Sequence, residues 1–181
     1  MILIVSKTIC IFVTTIKNLS MNIEYRKLLS GESTMYRAIR LESLERFPES
    51  FGATYEEARN TEKLRIEYDI ENQTPERFVW GAFAAGELIG ICVFVKDAGS
   101  SGNIYQMYVK EGFQGKNIGY GLIDAVIREA RKLFHTIDIF LDVIPTNERA
   151  YYLYRKIGFK EMEKETEDRK IDSNIVMQYQ H

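Results

Sequence analysis

Gly112 to Gly121 places four glycines and Lys116 in ten residues, between an apolar run ending at Val109 and a helical pattern beginning near Ile118. Glycines clear side chains from the path of a ligand. Successive amides, backed by the positive end of the following helix, can then donate to a diphosphate. Two rival phosphate loops fail on spacing. A Walker loop requires glycine where Lys110 stands and Ser or Thr where Asn117 stands, and a dinucleotide fingerprint built on Gly119 and Gly121 requires a small residue at Asp124. A second cluster follows: Asn147 opens a short helical pattern in which Ala150, Leu153, Tyr154 and Ile157 share a face, and Gly158 closes it. Tyr154 brings a phenol of reference pKa ~10 to that face. Metal chemistry finds no support, since Cys10, Cys92, His135 and His181 form no ligand spacing.

The elements needed to position these residues can be read from periodicity. Asn22–Leu28 reads as a strand and Ser30–Arg46 as a helix stopped by Pro48. Thr54 and Glu57 form a capping box that opens a second helix running to about Ile70. Phe78–Ala84 and Leu88–Lys96 flank Ala85-Gly86-Glu87 as a hairpin, and Asn103–Val109 is a further strand. Ile118–Phe134 carries apolar residues along one helical face. The nearly continuous apolar run Ile137–Ile144, broken by Asp138 and Asp142, reads as a strand buried on both faces. Phe159–Glu165 and Ile171–Gln180 are expected to finish as two strands around a charged turn, giving a mixed α/β class.

At 181 residues, 45% of them hydrophobic and 28% charged, the chain suits one folded domain. Twenty-four Lys and Arg against 26 Asp and Glu, with no basic stripe, argue against a nucleic-acid backbone and for a small partner. The apolar first twenty residues are interrupted by Lys7, too short to span a bilayer, and lack signal-peptide flanks. Met21 directly precedes the first strand, so residues 1–20 are expected to be an extension, from a mis-assigned start, outside a domain covering 21–181. No membrane anchor is expected, and cysteine usage suits a reducing cytoplasm.

The segment Ile104–Ile123 resembles the acetyl-CoA-binding signature of the GNAT (Gcn5-related N-acetyltransferase) superfamily, Q/R-x-x-G-x-G/A, with Gln114, Asn117 and Gly119 in its places. Asn117 replaces the expected glycine. It is the non-glycine residue most at ease with left-handed φ. Val143–Phe159 resembles the second signature, V-x-x-x-N-x-x-A-x-x-L-Y-x-K-x-G-F, at every position. The resemblance covers roughly Asn22 to the C-terminus. It implies a largely antiparallel sheet of six to seven strands flanked by about four helices, and transfer of an acetyl group from acetyl-CoA to a primary amine of a small molecule or peptide.

The resemblance also implies roles. Met107, Tyr108 and Val109 would present main-chain groups to the pantetheine arm where their strand splays from its neighbour. Gln114, Gly115, Lys116, Asn117, Ile118 and Gly119 would hold the pyrophosphate, with Tyr120 beside them and Gly121 letting the helix pack closely. Asn147 would combine a helix cap with a coenzyme contact, and Tyr154 would be the general acid. Direct attack needs no nucleophilic Ser or Cys. No base is assigned, because Asn103, Tyr105 and Gln106 occupy the strand where related enzymes use a carboxylate or ordered water. Phe51, Tyr55 and Glu56 are candidates for the acceptor wall. A homodimer is the default assembly. A competing expectation is a non-catalytic acyl-CoA-binding or sensing domain, and a remote one is nucleotide hydrolysis.

Overall fold

A computed structural model describes residues 22–162 and 174–180. The expected extension over 1–20 and the charged turn joining the last two strands lie outside the described residues. Among the described residues seven strands form one sheet in the order β1-β2-β3-β4-β5-β7-β6: β1 (Ile23–Lys27), β2 (Arg77–Ala84), β3 (Glu87–Lys96), β4 (Ser101–Val109), β5 (Asp138–Val143), β6 (Phe159–Glu161) and β7 (Ile175–Tyr179). All pairings are antiparallel except β4 with β5. The β2–β3 turn takes positive φ at Ala85 (49°) and Gly86 (84°), the type I′ requirement that matches strand twist.

Five α-helices of the described residues accompany the sheet: α1 (Ser33–Arg46), α2 (Tyr55–Asn60), α3 (Arg65–Glu71), α4 (Ile118–Phe134) and α5 (Glu148–Ile157). On one face α4 and α5 cover a core that includes Phe78, Ile89, Phe94, Val109, Leu122, Val126 and Leu141. On the other, α1 and α3 bury Tyr36, Ile39, Ile66 and Ile70 against Val79, Ile91, Val93 and Tyr108.

Three local findings differ from the sequence reading. The helix expected from Thr54 to Ile70 is two helices. The Thr54–Glu57 capping box is present, but the Thr61 amide closes on the Glu57 carbonyl, and a new helix starts where Glu67 accepts from the Leu64 amide at 2.7 Å. Arg37 stabilises the break by donating to the carbonyls of Ala58, Arg59 and Thr61 and to the Glu67 carboxylate. Next, β5 is buried on one face only: Ile139, Leu141 and Val143 are covered while Asp138 and Asp142 are exposed, because α1 and α3 pack over β2 and β3 and stop short of it.

The third is a bulge in β4. Ile91 pairs with Tyr108 and Val93 with Tyr105, so three steps on β4 oppose two on β3, and Gln106 takes φ 52°. The extra residue resets the alternation. Ile104 and Val109 lie in the α4 core, Tyr108 in the α1 core, and Met107 turns toward α4.

Candidate functional site

β4 and β5 pair only from Ser101–Ile104 to Asp138–Leu141. Beyond that point β5 continues its ladder with β7, through Asp142 and Val143, while Tyr105–Val109 continue with β3 alone. The strands therefore part inside the sheet. A cleft of about 1010 Å³ opens there, reaching residues of both faces: Gly119, Leu153 and Tyr154 on the α4–α5 side, Arg40, Phe51 and Ile66 on the α1–α3 side.

One end of the cleft is the loop before α4. Gly115 (φ 78°) and Asn117 (φ 59°) both take left-handed backbone, the second at the N-cap itself. Gly121 is the first amide to return to a carbonyl, donating to Asn117 at 3.1 Å. The amides of Ile118, Gly119 and Tyr120 are therefore left with no helical acceptor, where the helix dipole adds positive potential. Gln114 braces this end: its Nε2 donates to the Val109 carbonyl at 2.8 Å, and its Oε1 accepts from Arg149 at 2.7 Å. This set of donors suits a diphosphate chemically.

Tyr154 is positioned by α5, which Asn147 caps by accepting from the Ala150 amide at 3.1 Å and which Gly158 ends at φ 118°. The phenol is buried beside Phe159, with ring centroids 6.1 Å apart, and makes no hydrogen bond among the described residues. Burial raises its pKa well above the ordinary tyrosine value, so it stays protonated at neutral pH. Cys92 is wholly buried, and its thiol is likewise pushed up by desolvation, so it supplies no thiolate.

Of the residues singled out in the sequence, the structure brings Met107, Tyr108, Val109, Gln114, Gly115, Asn117, Ile118, Gly119, Tyr120, Asn147, Tyr154 and Phe51 to the cleft. Four lie elsewhere. Lys116 folds back, its Nζ donating to the Gly112 carbonyl at 3.2 Å and lying 5.3 Å from the Phe113 ring centre. Gly121 faces β1, where an added Cβ would lie 2.4 Å from the Tyr25 ring. Tyr55 and Glu56 occupy the first turn of α2, off the cleft lining.

Sequence reasoning gave no site role to Arg40, Phe47, Glu49, Asp142 and Arg149 and named Gln106 only as standing where a base is expected; all six line the cleft. Tyr105, 45% exposed on the same wall, has its pKa raised first by desolvation and then by the charges of Asp97 and Asp142. Asp142 was legible as a charge interrupting an apolar strand. Arg40 was legible as a charge in the buried stripe of Tyr36, Ile39, Ser43 and Leu44. Among the described residues no group of three Asp, Glu, His or Cys side chains could hold a metal, and no helix is long and apolar enough to cross a membrane.

Comparison with known proteins agrees with this geometry. The model of the Acetyltransferase (GNAT) family matches residues 43–159. A mycothiol acetyltransferase of Propionibacterium freudenreichii is 32% identical over 116 residues, covering 62% of this chain and 35% of that protein. A spermine/spermidine N(1)-acetyltransferase of Bacillus subtilis is 24% identical over 87 residues, covering 44% of this chain and 57% of that one. The chain thus spans between about a third and somewhat over half of the length of these relatives. Among solved structures, a PaiA N-acetyltransferase from Thermoplasma acidophilum in complex with coenzyme A superposes with a TM-score of 0.72 at 23% identity, covering 89% of this chain and 100% of that one.

Proposed function

Because the chain belongs to the GNAT family of acetyltransferases, we propose that it transfers an acetyl group from acetyl-CoA to a primary amine of a small molecule or peptide, by direct attack and with residues 21–181 as the catalytic unit. The observation that carries this reading is the parting of β4 and β5 beyond Ile104 and Leu141, which makes one cleft onto both the amides of Ile118–Tyr120 and the phenol of Tyr154. The coenzyme A bound in the similar Thermoplasma protein supports the choice of donor.

In this reading the amides of Gly115 to Tyr120 hold the pyrophosphate, with Arg149 nearby as a cation. Main-chain groups of Met107 to Val109 orient the arm, and Asn147 fixes the start of α5 so that Tyr154 is held in place. The neutral acceptor amine forms the C–N bond as the C–S bond breaks, and the sulfur leaves with the electron pair. Tyr154 gives its proton to that sulfur, the amine's surplus proton departs through solvent toward Asp142 or Glu49, the carboxylates on the cleft wall, and a proton returned through the same solvent restores the phenol. A phenol with raised pKa is a weak acid for a thiolate of reference pKa ~8.5. The leaving sulfur develops its charge beside the same buried phenol, where partial desolvation raises its affinity for the proton as well and narrows the gap.

Calorimetry with coenzyme A and acetyl-CoA, followed by thiol-release assays over amino acids, polyamines, aminoglycosides and peptides, tests the reading. Binding of both and release with at least one amine are expected. Absence of heat on folded protein refutes donor binding, and binding without release across the panel favours an acyl-CoA sensor.

A further inference from the structure

Among the described residues Arg40 is a buried cation with no counter-ion. Helix α1 turns it inward with Tyr36, Ile39 and Ser43, leaving it 5% exposed. Its contacts are a long 3.4 Å approach of Nη1 to the Ser43 hydroxyl and a stack in which the guanidinium carbon lies 4.5 Å from the Phe51 ring centre. Among the described residues it forms no ion pair: Glu57, which lines the same side cavity, has its carboxylate in the α2 cap with Thr54, and the acids that act on the neighbouring Tyr36 lie with other cations, Glu67 with Arg37 and Asp69 beside Arg65 and Arg77.

A guanidinium cannot relieve burial by losing its proton near neutral pH, and an uncompensated buried charge is expensive. Such a group persists where a ligand supplies the missing charge. Arg40 lines the main cleft and also a side cavity of about 210 Å³, and Gln106 lines both with it. The left-handed bulge presents Gln106, and Tyr36 donates to its Oε1 at 2.7 Å, which directs the amide nitrogen away from that bond. A planar fork of donors stacked on an aromatic ring, with a second donor beside it, matches a carboxylate. Glu49 and Asp142 on the same cleft supply the opposite sign for an ammonium.

Resting on the acetyl-transfer reading above, we infer that Arg40, with Gln106, receives a carboxylate of the acceptor, so that the substrate class is an amino acid or another amine bearing a carboxylate. A fully cationic polyamine is disfavoured by the same charge.

Matched acceptors test this: lysine against 1,5-diaminopentane, ornithine against 1,4-diaminobutane, phenylalanine against phenethylamine, and short peptides with free or amidated C-termini, the last separating a free amino acid from a peptide terminus. In the wild-type protein at least one carboxylate-bearing member is expected to exceed its partner by tenfold or more in kcat/KM for thiol release. In Arg40→Met that ratio falls to about one, and Arg40→Lys retains part of it. A readout independent of turnover is calorimetry of the matched N-acetyl products with and without coenzyme A present, where only the carboxylate forms should bind and Arg40→Met should abolish binding. Melting of Arg40→Met should occur at or above the wild-type temperature, since an unpaired buried charge is removed. Equal turnover within every pair, preference for the decarboxylated amine, carboxylate binding that survives in Arg40→Met, or a fall of several degrees in melting with discrimination unchanged each overturns the assignment. If no amine is acetylated, the transfer reading fails, and the calorimetry of carboxylates still decides the role of Arg40.

Discussion

Gly119 and Gly121 occupy the first turn of α4 two residues apart, so Cβ atoms added there point to nearly opposite sides, and the structure predicts different consequences. At Gly119 a Cβ would meet the Met107 Cε at 3.0 Å and the Leu153 Cδ2 at 3.2 Å. Both are ends of flexible side chains that line the cleft, and a few tenths of an ångström relieve the contact. At Gly121 it would meet Tyr25 at 2.4 Å (Cζ), 2.6 Å (Oη) and 2.8 Å (Cε1), so the ring must retreat by about 1 Å to reach ordinary contact at ~3.5 Å.

Overpacking of that size costs about 2–3 kcal/mol, and replacing glycine in a helix returns about 0.5–1 kcal/mol. Gly121→Ala should therefore lose about 1–2.5 kcal/mol of stability, or about 2–10 °C in melting temperature for a domain of this size, with coenzyme affinity within about twofold of wild type. Gly119→Ala should melt within about 2 °C of wild type, its small packing cost offset by helix propensity. The new methyl group lies between Met107 and Leu153, where the backbone is open to the cleft, and should weaken coenzyme A by about tenfold, equivalent to about 1.4 kcal/mol. Urea denaturation and calorimetry on both variants read the two quantities separately. Wild-type affinity in Gly119→Ala, or lost affinity with retained stability in Gly121→Ala, refutes the division of the two glycines into one that clears the cleft and one that seats β1.

Tyr154→Phe keeps the ring against Phe159, so thiol-release kcat should fall about 10²–10³-fold while coenzyme affinity and melting stay near wild type; unchanged kcat removes the phenol from the mechanism. Asn147→Ala removes the cap on α5 and should cost about 1 kcal/mol, whereas Asn147→Asp keeps the cap, so a coenzyme affinity loss in the aspartate variant without a melting loss isolates a direct contact. Burial raises the pKa of both Tyr36 and Tyr154. Their contribution to stability is complete below the unfolded tyrosine pKa of ~10 and is lost as pH rises from there toward the folded values, at about 1.4 kcal/mol per pH unit for each group. Denaturation at pH 8, 10 and 11 should show the decline, less steeply in Tyr154→Phe, and a flat profile refutes the burial argument.

The parts of the site that were legible in the sequence are those fixed by local chemistry. The limits of α4 follow from one unbroken apolar face, the start of α5 from Asn147 and its end from Gly158, and the left-handed N-cap from Asn117. What was not legible depends on distant partners. Nothing between Thr61 and Leu64 breaks a helix in the way that glycine or proline does; the break is stabilised by Arg37, more than twenty residues earlier in the chain. The exposure of Asp142 depends on how far α1 and α3 reach across the sheet, which periodicity within β5 does not encode. The positive φ of Gln106 has no compositional signal, since glutamine is not a preferred left-handed residue.

That bulge links the cleft to its contents. Without the extra residue, strict alternation from Ile104 would send Met107 to the α1 face and bring Tyr108 to α4. With it, Met107 reaches Gly119, Tyr108 donates to Glu42 beneath α1 at 2.9 Å, and Gln106 meets Tyr36. The same irregularity, at Gln106, comes two residues after Ile104, where β4 leaves β5. An interior strand thereby keeps its ladder with β3 and presents its other edge to the cleft, in the middle of a sheet that continues through β5, β7 and β6. Exposed strand edges invite pairing by any extended amide-bearing chain. Here the edge is short, flanked by the glycine loop and Tyr154, and closed at its far end by Gln114 on the Val109 carbonyl. In the proposed reading, this short edge is where an extended coenzyme arm with its own amide groups pairs with β4.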